Sequence, residues 1–256
     1  MTYSSLTFAI LVLLEAIRSR FFSIIIFLCL GGHGLAWFLG QITLTETLET
    51  QSSLVSAFYR LSAVYMISLF VITSMVREFH DYTTHLWLSL PLPRSQYLLM
   101  KFFGFVMVAA LISILYGFNL WFYTSTTAST SWALALFCEL LIMLSVSLLC
   151  VLSFTNTVYA FTLSVAFYLL ARSITAIHLM TESILFQQTG GGVGIITTLL
   201  NFITYLLPDL SQFTLTATVV YHHIDPSQLI YILVQTIIYC ALLLSICVID
   251  FSRKPL

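Results

Sequence analysis

Predominantly apolar stretches about a membrane's thickness long recur six times along this chain, over residues 21–41, 56–76, 98–121, 132–154, 157–178 and 228–250. A helix needs about twenty predominantly apolar residues to cross the hydrocarbon core, so the pattern predicts six transmembrane helices. Two shorter apolar stretches do not fit that length. Residues 4–17 end in the charges Glu15, Arg18 and Arg20, which predicts an interfacial helix over 1–20. Residues 195–207 are too short to cross and predict a re-entrant or surface helix before the last span. The expected fold is all-α integral membrane, one domain over 1–256, with residues 77–97 as a polar region on one side and 179–227 as a long segment on the other.

Composition agrees with the pattern. The chain is 60% hydrophobic and 7% charged, against about 25% charged for soluble domains. A net charge of −1 leaves no basic surface for nucleic acid. The five cysteines (Cys29, Cys138, Cys150, Cys240, Cys247) all fall inside apolar runs without CxxC spacing, and read as small buried hydrophobes. The first twenty residues carry their charges at the wrong end for a signal peptide, and the segment is expected to be retained. With both termini inside, Arg18, Arg20, Arg77, Arg94, Lys101, Arg253 and Lys254 all fall on one side, which the positive-inside rule makes cytoplasmic. Residues 42–55 and 122–131 then become outward loops rich in Thr and Ser, and 155–157 a tight inward turn containing Asn156.

The passage REFHDYTTHLWLSLPLPRSQYLLMK, Arg77 to Lys101, concentrates charges and two prolines between two greasy spans. Pro91 and Pro93 lack backbone donors and bias the residues before them away from helix. A short helix, an extended link and a fresh helix start after Arg94 are expected, either as a membrane-proximal connector with snorkelling side chains or as a docking surface for a cytoplasmic partner.

This passage resembles the pattern of ABC-2 type transporter permeases, in which an acidic residue after the second span leads to "LL..P..R..yl..K" before the third. Arg77, Glu78, Leu86 to Leu90, Pro91, Arg94 to Tyr97 and Lys101 carry the likeness. EAIRSRFF (Glu15 to Phe22) looks like the polar end of that family's N-terminal connecting helix, and LLPDLSQFTL (Leu206 to Leu215) looks like its passage before the last span. Within the family the six-span layout is most similar to the compact permeases typified by the nitrous-oxide-reductase maturation transporter. One departure is that Tyr82, Thr83, Thr84 and His85 stand where a glycine is usual. The resemblance implies a bacterial inner-membrane subunit working as two copies, or with a related permease, above two cytoplasmic ATPase subunits, with further envelope proteins as additional partners. Nucleotide and Mg would be held by those ATPases, since this chain has no GxxxxGK[ST] loop. Arg77, Glu78, His80, Asp81, Pro91, Pro93 and Arg94 would form the ATPase-coupling region, helped by Glu15, Arg18 and Arg20.

Ionisable residues inside spans are expensive and point to function. Glu139 and Arg172 lie roughly 10 Å and 9 Å below the outer ends of the fourth and fifth spans at 1.5 Å per residue, and adjacent antiparallel spans predict that they pair. Their role is either to fix the outer halves of these helices or to contact a substrate. Leu206, Pro208, Asp209 and Phe213 in the outer segment are the candidate outer gate. His33, beside Gly31, Gly32 and Gly34, reads as a packed, hydrogen-bonded histidine. His80, Asp81 and His85 lack HExxH spacing, so no metal is expected, and His222, His223 and Asp225 read as a solvated loop. Trp37, Trp87, Trp121, Tyr123 and Trp132 near span ends form an interfacial belt. Competing functions are an ion-coupled secondary transporter or channel using Glu139 and Arg172, and an intramembrane enzyme. The first ordinarily shows an internal repeat and the second a GxSxG or HExxH signature, and the sequence contains neither.

Overall fold

The structure, a computed structural model, describes residues 2–42, 47–81, 94–154, 156–182, 207–214, 219 and 226–253. Among the described residues seven α-helices follow one another: α1 (Thr2–Arg18), α2 (Phe21–Ile42), α3 (Thr47–His80), α4 (Arg94–Leu120), α5 (Thr126–Ser153), α6 (Thr157–Glu182) and α7 (Pro226–Arg253), with a 3-10 turn at Leu210–Gln212 before the last. Among the described residues there is no strand. Six helices, α2 to α7, are long and apolar enough to cross a bilayer, so the chain is an all-helical, multi-pass membrane protein.

The helices overrun the predicted spans, and two expected loops are shorter than the Thr/Ser content suggested. Residues 47–55 belong to α3 and 126–131 to α5. Hydroxyl side chains here bond back to the helix rather than break it: Ser52 Oγ donates to Glu49 O at 3.0 Å, and Ser131 Oγ to Ala128 O at 3.0 Å. Gln51 also reaches across to α2, donating to Ala36 O at 2.8 Å. Ser125 caps α5 by accepting from Ala128 N, and Asn156 starts α6 by accepting from Val158 N at 2.9 Å.

The central element is α5. Its most apolar stretch is 78% buried, against 17% for α2 and α7, and it touches α3, α4, α6 and α7. Small polar residues knit it to its neighbours: Ser129 Oγ donates to Gly117 O of α4 at 2.6 Å, and Ser147 Oγ lies 3.0 Å from Ser164 Oγ of α6. Close approach through small residues with local hydrogen bonds is how helices associate where solvent supplies no hydrophobic drive.

The N-terminal helix, expected at the interface, docks on the bundle. Val12 and Ala16 are buried, and a Cβ on Gly104 of α4 would meet Val12 Cγ2 at 2.6 Å. Its other face leaves Ile10, Leu14 and Ile17 exposed. α1 is thereby seated against α4, with its last turn beside the ends of α3 and α4.

Candidate functional site

At the end where α1 and α3 finish and α4 begins, four charges meet. Ser74, Arg77 and Glu78 share the last turns of α3, and Tyr97 and Lys101 share one face of α4 by their i, i+4 spacing. Glu15 of α1 accepts from Ser74 Oγ at 2.9 Å and from Arg77, and lies 3.6 Å from Lys101 Nζ. Lys101 in turn donates to Glu78, whose other oxygen accepts from Tyr97 OH at 2.6 Å. The Tyr97 ring stacks on Phe251 of α7 at 6.0 Å. With its side chain only 5% exposed, Lys101 would be costly to bury alone. Two carboxylates and the Phe105 ring face, 5.4 Å away, compensate it.

The residues expected to couple to a partner divide within this cluster. Glu78 turns inward to Lys101 and Tyr97, whereas Arg77, His80 and Asp81 are exposed at the helix end. Arg18 and Arg20 are exposed at the α1–α2 junction, and Glu15 is turned inward. Arg94 is the first residue of α4. Pro91 and Pro93 lie outside the described residues, as do Trp87, His85, His222, His223, Asp225 and Leu206.

A second cluster lies toward the opposite end, around a fully buried carboxylate. Glu139 of α5 is 0% exposed, and its Oε1 is 3.7 Å from Arg172 Nη1 of α6. Thr214 joins the two: its Oγ1 donates to Glu139 Oε2 at 2.9 Å and accepts from Arg172 Nη1 at 3.1 Å. Arg60 of α3 donates to Thr214 O at 3.2 Å, and Arg172 donates to Leu210 O at 2.8 Å. The buried Tyr168 of α6 borders the same carboxylate. Non-helical backbone at membrane depth is tolerated where protein covers it, and here two guanidinium groups donate to Thr214 O while Arg172 also adds a donor to Leu210 O, which closes the 3-10 turn with Phe213 N. Pro208, Leu210, Phe213 and Thr214 are all buried, and Asp209 caps the 3-10 turn by accepting from Ser211 N at 3.2 Å.

The Glu139–Arg172 pair is the one the adjacent spans predict, whereas Arg60 and Thr214 join it outside that expectation. An arginine one turn inside the predicted span 56–76 is the available signal for the first. Nothing in the sequence pointed to the threonine.

A third polar contact fixes α2. His33 Nε2 is 2.9 Å from Asn119 Oδ1 and its Nδ1 is 2.5 Å from Tyr123 OH. Asn119 Nδ2 donates to Leu115 O at 2.8 Å, which sets the amide so that its oxygen faces the ring. The ring is held between Asn119 and Tyr123, whose phenol burial pushes above its ordinary value.

Among the described residues, no three His, Cys, Asp or Glu side chains converge as a metal site. No protein-family model and no curated protein matches the chain.

Proposed function

We propose that this chain is the membrane-spanning subunit of an ATP-driven exporter of the ABC-2 permease type, with nucleotide hydrolysed by separate cytoplasmic subunits. The observation that carries the reading is the meeting of Glu78 with Tyr97 and Lys101. These residues flank the connector passage on which the resemblance rests, so a force on residues 82–93 acts on two helix ends already braced together. Glu15 extends the brace to α1 and Phe251 to α7.

One helix links this end to the buried cluster. α3 runs without a break for 34 residues and bears both Glu78 and Arg60, which lie about 27 Å apart along its axis at 1.5 Å per residue. In this mechanism, movement of the connector tilts or shifts α3. That displaces Arg60 from Thr214 and loosens segment 207–214, which serves as the outer gate. The positive-inside rule puts the end bearing Arg18, Arg20, Arg77, Lys101 and Arg253 in the cytoplasm, where the ATPase subunits dock. A second copy of the chain, or a related permease, completes the pathway.

A second reading, ion-coupled transport, draws on Glu139 Oε1, which is buried without a hydrogen bond from the described residues. The two readings separate on coupling. Glu78→Gln and Lys101→Met should each lower ATP turnover of the purified complex while leaving the ATPase subunit bound. The double variant should cost less than the sum of the two singles, since both remove the Glu78–Lys101 contact. Unchanged turnover in all three variants would refute the brace as a coupling element, and transport by the chain alone driven by an ion gradient would favour the second reading.

A further inference from the structure

The elbow between α1 and α2 carries two exposed arginines, Arg18 at the end of α1 and Arg20 just before α2. Among the described residues neither guanidinium makes an ion pair or a hydrogen bond. The carboxylates of Glu15 and Glu78 at this end are already engaged by Arg77 and Lys101, and residues 16–45 contain no Asp or Glu. The chain therefore leaves two positive charges at the elbow without a local counter-charge. Each heads an apolar stripe. Leu11, Leu14 and Arg18 share one face of α1 by their i, i+3 and i+7 spacing, and both leucines are exposed. Arg20 O accepts from Ile24 N at 3.1 Å, so Arg20 opens the hydrogen-bond ladder of α2 and shares a face with Ile24 and Phe27, which are also exposed.

Depth and charge together identify the occupant. α2 has 22 residues, about 33 Å at 1.5 Å per residue, which matches a hydrocarbon core of about 30 Å. Arg18 and Arg20, immediately before its first residue, therefore fall at the level of the lipid phosphates. An acidic protein surface would answer the two charges but not the apolar stripes that run on from them, and a zwitterionic lipid brings its own cation to its phosphate. We propose that the α1–α2 elbow is a binding site for an anionic phospholipid, its phosphate held by Arg18 and Arg20 and its acyl chains lying along Leu11 and Leu14 on one side and Ile24 and Phe27 on the other. The site belongs to this chain alone and does not depend on an ATPase partner.

The test uses the full chain in phosphatidylcholine vesicles, with either phosphatidylglycerol or phosphatidylcholine carrying brominated acyl chains, which quench a neighbouring indole. Ile24→Trp, combined with Trp37→Phe, Trp87→Phe and Trp121→Phe, reports from the elbow over the buried Trp132. A matching chain with Trp87→Phe and Trp121→Phe alone reports from the exposed Trp37, near the other end of α2. A basic residue near the membrane surface favours anionic lipid roughly fivefold. The proposal therefore expects brominated phosphatidylglycerol to half-quench position 24 at a mole fraction at least about fivefold lower than brominated phosphatidylcholine, while the two lipids quench Trp37 alike. Arg18→Gln with Arg20→Gln should erase the preference at position 24, and Arg18→Lys with Arg20→Lys should keep most of it; both positions are exposed, so neither pair strains the fold. Equal quenching of position 24 by the two lipids would overturn the site, as would a phosphatidylglycerol preference that survives both glutamines. Loss of the preference on adding inorganic phosphate at unchanged ionic strength would assign the arginines to a free anion, and cross-linking of Arg18→Cys to a co-isolated protein without any lipid preference would assign them to an acidic partner; either result rejects the lipid.

Discussion

Glu139 is the residue on which the distal half of the molecule depends most. Its carboxylate is fully buried and is met by Thr214 and Arg172, with Arg60 on the same threonine. Glu139→Leu would take away the buried carboxylate that pairs with Arg172, and breaking a buried pair in this way costs about 3–5 kcal/mol. Thr214→Val removes a hydroxyl donor and acceptor but no charge, for which about 1–3 kcal/mol is expected. Thermal unfolding in mild detergent should therefore rank Glu139→Leu below Thr214→Val, and both below the parent chain; melting of Glu139→Leu at the parent temperature would contradict the assignment. The sequence made half of this site legible. Ionisable residues in adjacent antiparallel spans announce themselves by their expense, but Thr214 is one hydroxyl among many in a segment without periodicity, and only the fold reveals what it holds.

At the scale of elements, glycines in α2 separate packing from mere presence in a membrane helix. Gly32 faces Tyr59, whose ring carbon would lie 2.4 Å from an added Cβ. That ring is fixed by stacking on Tyr116 at 4.8 Å and by its hydroxyl bond to Cys29 O at 3.2 Å. Gly34 has nothing within 4 Å of an added Cβ. Gly32→Ala should cost about 1–3 kcal/mol through overpacking, and Gly34→Ala should be neutral or gain up to about 1 kcal/mol from helix propensity. Equal melting temperatures for the two variants in the same detergent would refute the α2–α3 contact. Hydrophobic periodicity located all six spans because each is continuous and long. It misjudged their ends, since Ser and Thr that cap or back-bond within a helix look the same in sequence as those in a loop. It also missed how α1 sits, because docking on Gly104 depends on a groove shaped by another helix.

For the whole molecule, two polar clusters at opposite ends of an apolar bundle are joined by the continuous helix α3, around a central α5 that is mostly hidden from lipid. Such an arrangement suits a subunit that relays force from one membrane face to the other. The six-span layout was readable from hydropathy, but the inward turn of Glu78 was not, because its partners lie 19 and 23 residues further along the chain. The most direct measurement is affinity isolation of tagged chain from its native membrane, with mass spectrometry and ATP turnover on the eluate. The account predicts a stoichiometric ATPase subunit and nucleotide hydrolysis that depends on it. Recovery of an active chain with no ATPase subunit would contradict it.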